Sequence, residues 1–209
     1  MIAIVDYGVG NLFSLAASLD SLGFPSVVTG EERALREADR IILPGVGAFG
    51  DAMRRLRETG LVPALDRLVG EGRPLLGICL GMQLLFEKSY EYGCWEGLGY
   101  LPGSVQPLAD VLPKGLKVPH IGWNALHILD EKEPLLRYTP QGAYVYYVHS
   151  YYAADCAACV KAQSEYGVPV PGVVRRGNVC GTQFHPEKSG QVGLNILRAF
   201  ASDSQEGAI

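Results

Sequence analysis

The sequence predicts an α/β fold with a mixed, largely parallel central sheet flanked by helices. Short apolar runs alternate with segments of helical periodicity through residues 1–91, which is typical of a parallel sheet covered by helices on both faces. Residues 124–184 instead hold short segments rich in Tyr and Val, which suit antiparallel strands. The length of 209 residues suits one compact domain, 1–209, whose end, about 202–209, is expected to be a frayed tail.

The first half of the chain contains four predicted strands and five predicted helices. The first helix lies between Asn11, a suitable N-cap, and Gly23, a suitable C-terminal stop. The predicted strands are 2–5, 26–29, 40–44 and 75–78. The predicted helices are 12–22, 31–38, 48–58, 61–71 and 81–91. Right-handed crossovers between the parallel strands follow from strand twist.

The second half of the chain changes character. Residues 93–120 are rich in Gly and Pro and have little periodicity, so no regular element is predicted there. Strands are predicted at 124–129 and 143–153. Antiparallel hairpins are predicted from 158–164, 170–175 and 178–184, and a helix over 189–201 closes the fold.

Composition and charge argue against several classes of protein. Hydrophobic residues make up 48% of the chain and charged residues 19%, which argues against disorder. The net charge of −4 argues against a nucleic-acid partner. No apolar run approaches the ~20 residues that span a membrane, and no basic segment precedes the first apolar run as in a signal peptide. Five cysteines, an odd number, favour free thiols in a reducing cytoplasm.

The most informative motif is Gly-Ile-Cys-Leu-Gly at 77–81, between a predicted strand and a predicted helix. This is the pattern of a nucleophile elbow with Cys79 in place of serine. The two glycines leave room in a sharp turn, and the helix N-terminus beside Cys79 favours a thiolate. The backbone N–H of Leu80 points to the same place and can hold an oxyanion. From this motif alone, a buried cysteine that packs as a small apolar residue is an equal alternative.

A base for this nucleophile is predicted in the segment His-Pro-Glu at 185–187. Pro186 favours an extended conformation at His185, and residues i and i+2 of an extended segment project to the same side. Glu187 can therefore fix the tautomer of His185 at one ring nitrogen and leave the other nitrogen to face Cys79. Alone, this segment is typical of a surface turn. Together with the elbow it predicts a triad of Cys79, His185 and Glu187.

These motifs resemble the class I, triad-type glutamine amidotransferases, whose architecture is flavodoxin-like. Four further segments narrow the resemblance to the glutaminase subunits of imidazole glycerol phosphate synthases: Asp-Tyr-Gly-Val-Gly-Asn at 6–11, Leu-Pro-Gly-Val-Gly-Ala-Phe-Gly at 43–50, Pro-His-Ile-Gly-Trp-Asn at 119–124 and Tyr-Val-His-Ser-Tyr at 147–151. The resemblance implies that glutamine is hydrolysed through a Cys thioester and that the ammonia passes to a synthase subunit. That partner would be a (β/α)8 barrel, bound as a heterodimer, which forms imidazole glycerol phosphate and aminoimidazole carboxamide ribotide in histidine biosynthesis.

The resemblance also assigns roles to residues outside the triad. It implies an oxyanion hole formed by the backbone of Leu80, Val46 and Gly47. The substrate-binding residues that it implies are Gly45, Gln83, Ser150 and Tyr151. The residues that it implies at the synthase interface are Trp123, Lys188, Tyr146 and Asn11. Without the resemblance, Trp123 could equally be a core aromatic residue. The resemblance implies no cofactor, and we expect no metal site.

Three other functions are considered. A glutamine amidotransferase subunit that serves another acceptor, as in pyridoxal phosphate synthesis, is disfavoured by Gly-Trp-Asn at 122–124. A non-catalytic homologue that only binds a partner would be expected to lose part of the triad, which this sequence keeps. Nothing in the sequence suggests the extended cleft of a cysteine peptidase.

Several other cysteines and histidines are assigned no catalytic role. Cys156 and Cys159 form a C-x-x-C motif that lacks the spacing of a zinc site and the context of a redox site, so we expect incidental thiols. His120 and His127 are expected to be structural, or at most peripheral to the site. His149 is left open, because it adjoins the predicted substrate-binding residues.

Overall fold

The computed structural model describes residues 1–202, and its first half follows the predicted alternation closely. The strands of this half are β1 Ile2–Val5, β2 Ser26–Thr29, β3 Arg40–Gly45 and β4 Leu75–Cys79. The helices are α1 Leu12–Ser21, α2 Glu32–Glu37, α3 Phe49–Glu58, α4 Val62–Gly70 and α5 Leu80–Leu84. Asn11 precedes α1 as predicted, but its side chain makes no capping hydrogen bond. Gly23 follows the helix with the positive φ, 79°, expected of a C-terminal stop.

The second half of the described chain is mostly β-structure. Its strands are β5 Phe86–Ser89, β6 Trp95–Glu96, β7 Leu101–Pro107, β8 His120–Ala125, β9 His127–Ile128, β10 Tyr144–His149, β11 Tyr151–Ala154, β12 Val160–Glu165, β13 Pro169–Arg176 and β14 Val179–Thr182. Helix α6, Gly190–Ser202, follows β14. The rest of the predicted tail, 203–209, lies outside the described residues. Within residues 1–202, no helix has the length and apolar character needed to cross a membrane.

The central sheet has eight strands in the order β2-β1-β3-β4-β14-β13-β12-β9. The first five strands in this order run parallel, and the last three extend the sheet in antiparallel fashion. Alternate residues of β1 face opposite layers. Ala3 and Val5 pack in the cluster that includes residues of α2, α3 and α4, whereas Ile2 and Ile4 pack with residues of α1 and α6. The predicted α/β class and the helices on both faces are confirmed.

Two smaller sheets carry segments that surround the candidate site. One pairs β8 with β10, and the other has the order β11-β7-β5-β6. The predicted strand 143–153 is therefore two strands in different sheets, and the chain passes from one sheet to the other at Ser150. The predicted strand 124–129 is also divided. Its first two residues end β8, which begins at His120, and β9 covers only His127–Ile128.

The predicted helix 81–91 is wrong beyond Leu84. Phe86 is fully buried, and the segment that follows α5 pairs with β7 as a strand. The side chains of this segment favour a helix weakly, but tertiary pairing overrides that propensity. The sequence does not predict β7, because this strand contains Pro102, Gly103 and Pro107, and these residue types are uncommon inside strands.

Candidate active site

Cys79 lies at the junction of β4 and α5 in a conformation that non-glycine residues rarely adopt. Its φ of 54° and ψ of −112° turn the chain sharply between strand and helix. A Cβ at Gly81 would lie 1.8 Å from the carbonyl oxygen of Leu43, and one at Gly77 would lie 2.7 Å from the carbonyl oxygen of Gly81. Glycine is therefore required on both sides of Cys79, as the motif predicts, and the turn is packed against β3.

His185 and Glu187 form a buried pair beside this turn. Nδ1 of His185 lies 2.8 Å from Oε1 of Glu187, and both side chains are 3% exposed. His185 is extended, with φ −97° and ψ 103°, and a 3-10 turn over 186–188 then brings the carboxylate back to the ring. The backbone of His185 is fixed as well, because its N–H donates to the carbonyl of Tyr146 at 3.1 Å and its carbonyl accepts from Oγ of Ser189 at 2.7 Å.

The contacts of His185 favour its protonated form. Burial lowers the pKa of this imidazole, but hydrogen bonds and charge interactions with Cys79 and Glu187 outweigh burial and raise the pKa to about 9. The ring is thus hydrogen-bonded to the carboxylate of Glu187 and lines the same pocket as Cys79. Residues that are far apart in the sequence are brought together at the carboxyl ends of β4 and β14.

Cys79 and His185 open into a surface pocket of about 350 Å³, which the predicted substrate-binding residues Gln83, Ser150 and Tyr151 also line. Nε2 of Gln83 donates to the carbonyl of Tyr151 at 2.9 Å and to Oε1 of Gln183 at 3.0 Å. Nε2 of Gln183 in turn lies 3.9 Å from Sγ of Cys79. Gln83 therefore fixes the wall of the pocket through the Tyr151 carbonyl.

The loop 44–47 leaves β3 next to the cysteine, since Gly45 on β3 is the register partner of Cys79 on β4. Val46 and Gly47 line the pocket together with Leu80. The start of the loop is held by Tyr7, whose hydroxyl donates to the carbonyl of Pro44 at 2.7 Å. Gly47 has a φ of 96°, and a Cβ added there would meet no atom within 4 Å, so the loop is anchored at its start and freer at its end.

Sequence reasoning missed Glu91, which the predicted helix 81–91 placed at a helix end. Its carboxylate accepts from the N–H of Phe49 at 2.5 Å and lines the same pocket, although the residue is only 9% exposed. Burial raises the pKa of Glu91, and the bond from Phe49 acts in the opposite direction. Among the described residues that line the pocket, Glu91 supplies the one carboxylate. The sequence gives no motif that would have identified it.

Comparison with known proteins identifies the family. Residues 3–203 match the family model described as glutamine amidotransferase class-I. A protein of Geobacillus sp. (strain WCH70) named imidazole glycerol phosphate synthase subunit HisH is 51% identical over 205 residues, 97% of this chain and 96% of that protein. The subunit HisH of Bacillus subtilis (strain 168) is 51% identical over 209 residues, 99% of this chain and 98% of that protein. The chain belongs to the HisH family of class-I glutamine amidotransferases.

HisH membership confirms the family predicted from the motifs, and the chain is therefore a glutamine amidotransferase enzyme. It also decides against a subunit that serves pyridoxal phosphate synthesis. A crystal structure of a glutamine amidotransferase aligns with a TM-score of 0.74 at 21% identity, over 96% of this chain and 99% of that chain. At this identity the likeness concerns the fold alone, and together with the family match it confirms the predicted class I glutamine amidotransferase architecture.

The residues of this HisH chain predicted to contact a partner surround the buried His–Glu pair. Trp123 is 55% exposed, so it is not a core aromatic residue, and its ring packs edge-on against Tyr146 at 6.0 Å. Tyr146 accepts the hydrogen bond from the His185 backbone. Lys188 is exposed and lines the pocket, and Nδ2 of Asn11 makes a long contact of 3.5 Å with the carboxylate of the pair.

The cysteines outside the elbow are free thiols, as expected. Cys156 and Cys159 are both buried, and Sγ of Cys159 donates to the carbonyl of Cys156 at 3.1 Å. Across residues 1–202, no group of three or more His, Cys, Asp or Glu side chains is arranged to hold a metal ion.

Proposed function

We propose that this chain is the glutaminase subunit of an imidazole glycerol phosphate synthase, with Cys79, His185 and Glu187 as its catalytic residues. The observation that carries the proposal is the buried ring of His185, which is hydrogen-bonded to the carboxylate of Glu187 and lines the same pocket as Cys79. Both Cys79 and His185 open into a pocket large enough for a free amino acid. The relatives that are half identical over nearly their whole length carry the name of this subunit.

The first half of the reaction forms a thioester. The thiolate of Cys79 attacks the side-chain amide carbon of glutamine, the C–N bond breaks, and the nitrogen leaves as ammonia. The imidazolium of His185 stabilises the thiolate beforehand and supplies the proton that the leaving nitrogen needs. Glu187 holds the ring in the productive orientation and stabilises its positive charge.

The second half of the reaction regenerates the enzyme. The now neutral His185 accepts a proton from a water molecule, and the resulting hydroxide attacks the thioester carbon. The C–S bond breaks, the new side-chain carboxylic acid loses its proton to solvent, glutamate leaves, and the pair of thiolate and imidazolium is restored. His185 acts as acid in the first half and as base in the second, which is ordinary general acid–base catalysis.

The oxyanion of each tetrahedral intermediate requires N–H donors beside Cys79. Leu80 is the first residue of α5, so its backbone N–H belongs to the unpaired donors of a helix N-terminus. Val46 and Gly47 lie on the other wall of the pocket, in a loop whose peptide planes can reorient at glycine. We assign the oxyanion hole to these three residues, with the loop completing it when the partner is active.

The polar ends of glutamine require partners of opposite charge or hydrogen-bonding type. The carboxylate of Glu91 suits the α-ammonium group, because it lies in the pocket and its burial strengthens an ion pair there. Ser150 and Tyr151 bind the α-carboxylate end, partly through backbone, while Gln83 supports the Tyr151 carbonyl. Gly45 allows the close approach of β3 to the elbow, since a Cβ there would lie 2.7 Å from the N of Gly81.

The partner that receives the ammonia is the synthase subunit, a (β/α)8 barrel bound as a heterodimer. It uses the ammonia to form imidazole glycerol phosphate and aminoimidazole carboxamide ribotide. The proposed interface includes Trp123, Tyr146, Lys188 and Asn11. Because these residues lie near the triad, ammonia released at Cys79 would have a short path to the synthase subunit. The complex works in the cytoplasm without metal or cofactor on this chain, and it acts on no nucleic acid or membrane.

The alternative of a non-catalytic binding homologue is disfavoured because the chain keeps all three triad residues, with His185 bonded to Glu187 and placed in the same pocket as Cys79. The test is to mix this chain with a candidate synthase barrel and to measure glutamate release with and without the ribotide substrate. We expect little release from the chain alone and strong release from the complex with ribotide. If the isolated chain released glutamate at the rate of the complex, the proposal that loop 44–47 completes the oxyanion hole only with an active partner would be contradicted. If no condition gave glutamate, the proposed glutaminase activity would be contradicted.

A further inference from the structure

Two buried histidines lie next to the glutamine pocket and take no part in the proposed chemistry. Nδ1 of His120 is 3.0 Å from Nε2 of His149, and Nδ1 of His149 is 2.9 Å from the carbonyl oxygen of Tyr151. At the other end, Nδ2 of Asn124 is 3.3 Å from Nε2 of His120. His120 and His149 are 3% and 6% exposed. Four groups thus form one continuous row of hydrogen bonds, which we call the histidine row: Asn124, His120, His149 and the Tyr151 carbonyl.

The chemistry of the two ends fixes the direction of every bond in the histidine row. A carbonyl oxygen only accepts, so Nδ1 of His149 carries a proton and its Nε2 accepts from His120. Nε2 of His120 is then the acceptor for the amide of Asn124, whose orientation is set by its Oδ1 accepting from the N–H of Ala125 at 2.8 Å. Both rings are neutral in this arrangement. Burial lowers the pKa of His120 to about 4 and that of His149 to about 3, which agrees with neutral rings.

The ring of His120 is held between two tyrosines. It stacks on Tyr147 with centroids 4.7 Å apart and on Tyr166 with centroids 4.0 Å apart. The hydroxyl of Tyr147 is hydrogen-bonded with Oγ of Ser164 at 2.8 Å, and that of Tyr166 donates to the carbonyl of Lys117 at 2.9 Å. The packing therefore leaves His120 little freedom, and a flat apolar ring of similar size fits the same slot.

The two ends of the histidine row lie in different functional regions. Asn124 follows the exposed Trp123 on β8, on the surface proposed to contact the synthase. The carbonyl of Tyr151 accepts from His149 and from Gln83 at once, and Gln83 connects through Gln183 to the surroundings of Cys79. The histidine row is therefore a continuous polar connection between β8 and the wall of the glutamine pocket.

We propose that His120 and His149 are positioning residues that hold the Ser150–Tyr151 segment for glutamine and couple its placement to the partner-facing strand β8. This inference rests on the proposed function in one respect, namely that the pocket binds glutamine. Because the histidine row holds a binding segment and not the reacting atoms, its loss weakens substrate binding more than turnover.

The test uses His120→Phe in the complex with the synthase subunit, with glutamate release as the readout. Phenylalanine keeps the stack between the tyrosines and removes both ring nitrogens. We expect the KM for glutamine to rise about fivefold, the usual effect of one lost hydrogen bond, while kcat changes less than about twofold. His127→Phe, at an exposed histidine on β9, is the matched control and should keep the wild-type KM. Ammonia-dependent synthesis should be unchanged in both variants.

A second pair of variants separates positioning from a general packing role. His149→Ala removes both contacts of that ring, whereas His149→Asn offers an amide donor near the position of Nδ1 and can still bond the Tyr151 carbonyl. We expect a raised KM in His149→Ala and partial recovery in His149→Asn. If His120→Phe does not fold, Asn124→Ala breaks the histidine row at its partly exposed end and should raise the KM in the same direction.

The outcomes distinguish a failure of the proposed role of the histidine row from a failure of the proposed glutaminase function. A wild-type complex that releases no glutamate would overturn the proposed function. A working wild-type complex with an unchanged KM in His120→Phe and Asn124→Ala would overturn the histidine row alone. A fall in ammonia-dependent synthesis in parallel with glutamine use would also overturn the histidine row, because the defect would then be one of general folding.

Discussion

Gly45 on β3 and Cys79 on β4 are register partners in adjacent parallel strands, and the loop and the turn that follow them interlock. A Cβ at Gly45 would lie 2.7 Å from the backbone N of Gly81, and one at Gly81 would lie 1.8 Å from the carbonyl oxygen of Leu43 on β3. The backbone at the start of loop 44–47 is therefore held at a fixed distance from the backbone of Cys79. This close backbone packing places the candidate oxyanion donors beside the nucleophile.

The first prediction concerns the glycine after the elbow. Gly81→Ala would put a Cβ 1.8 Å from the carbonyl oxygen of Leu43, so β3 or α5 must move. We expect a loss of stability of at least ~3 kcal/mol and loss of glutamine hydrolysis. Gly70→Ala, in open space in the last residue of α4, is the control and should stabilise the chain by ~0.5–1 kcal/mol. Urea unfolding measures both, and equal stability of the two variants would contradict the expected clash.

The second prediction concerns the ionisation of His185. Its folded pKa of about 9 exceeds the unfolded value of ~6.5, so the stability it contributes is fully present below ~6.5 and is lost as the pH rises through about 9. Glu187→Gln keeps an acceptor for Nδ1 but removes the charge, so the pKa of His185 should fall and the loss of stability should come at lower pH. An NMR titration of the ring measures this shift.

A control separates this local effect from a change in overall charge. Glu96→Gln removes an exposed carboxylate elsewhere and should leave the titration of His185 at about 9. Titration of His185 at the same pH in Glu187→Gln and in the wild type would show that the carboxylate does not support the imidazolium.

The third prediction concerns Glu91 as the partner of the substrate's ammonium group. Glu91→Gln keeps an oxygen that can accept from the N–H of Phe49 and removes the negative charge from the pocket. We expect the KM for glutamine to rise ~10- to 100-fold, the range for a lost bond to a charged group, with a small change in kcat. Steady-state glutamate release from the complex measures it. A wild-type KM in this variant would remove Glu91 from the binding site.

The fourth prediction concerns the proposed partner surface. Trp123 is 55% exposed, so Trp123→Ala should change the stability of the isolated chain by less than ~1 kcal/mol. Affinity for the synthase subunit should fall by ~10- to 100-fold, as for an aromatic anchor at an interface. Leu129→Ala, at an exposed position of 57%, is the control and should bind normally in titration calorimetry. Equal affinity of the two variants would place the interface elsewhere.

The parallel half of the fold could be predicted from the sequence because its inner strands β1, β3 and β4 are buried on both faces. Such strands are short and continuously apolar, and glycines and polar residues mark their ends. The turn at Cys79 was predictable for a related reason, since glycine is needed at fixed offsets and these glycines are visible in the sequence. The contact of His185 with Glu187 was predictable because it is local, although a 3-10 turn over 186–188, and not the expected extended segment, brings the two side chains together.

The remaining features depend on contacts between distant segments. Phe86 lies in a stretch with helical preference and becomes part of a strand only because β7 lies beside it. Glu91 enters the pocket because α3 begins next to it, and nothing near Glu91 in the sequence signals that neighbour. The row of contacts through His120 and His149 likewise requires β8 and β10 to pair in one register, which opposes these two residues.

The central claim is that the sulfur at position 79 performs the chemistry on glutamine and that the ammonia is used elsewhere. The most direct measurement is glutamate release by the Cys79→Ala chain in complex with the synthase subunit and its ribotide. We expect release below detection, with assembly and synthesis from added ammonia at wild-type levels. Release of glutamate at the wild-type rate from this variant would contradict the claim.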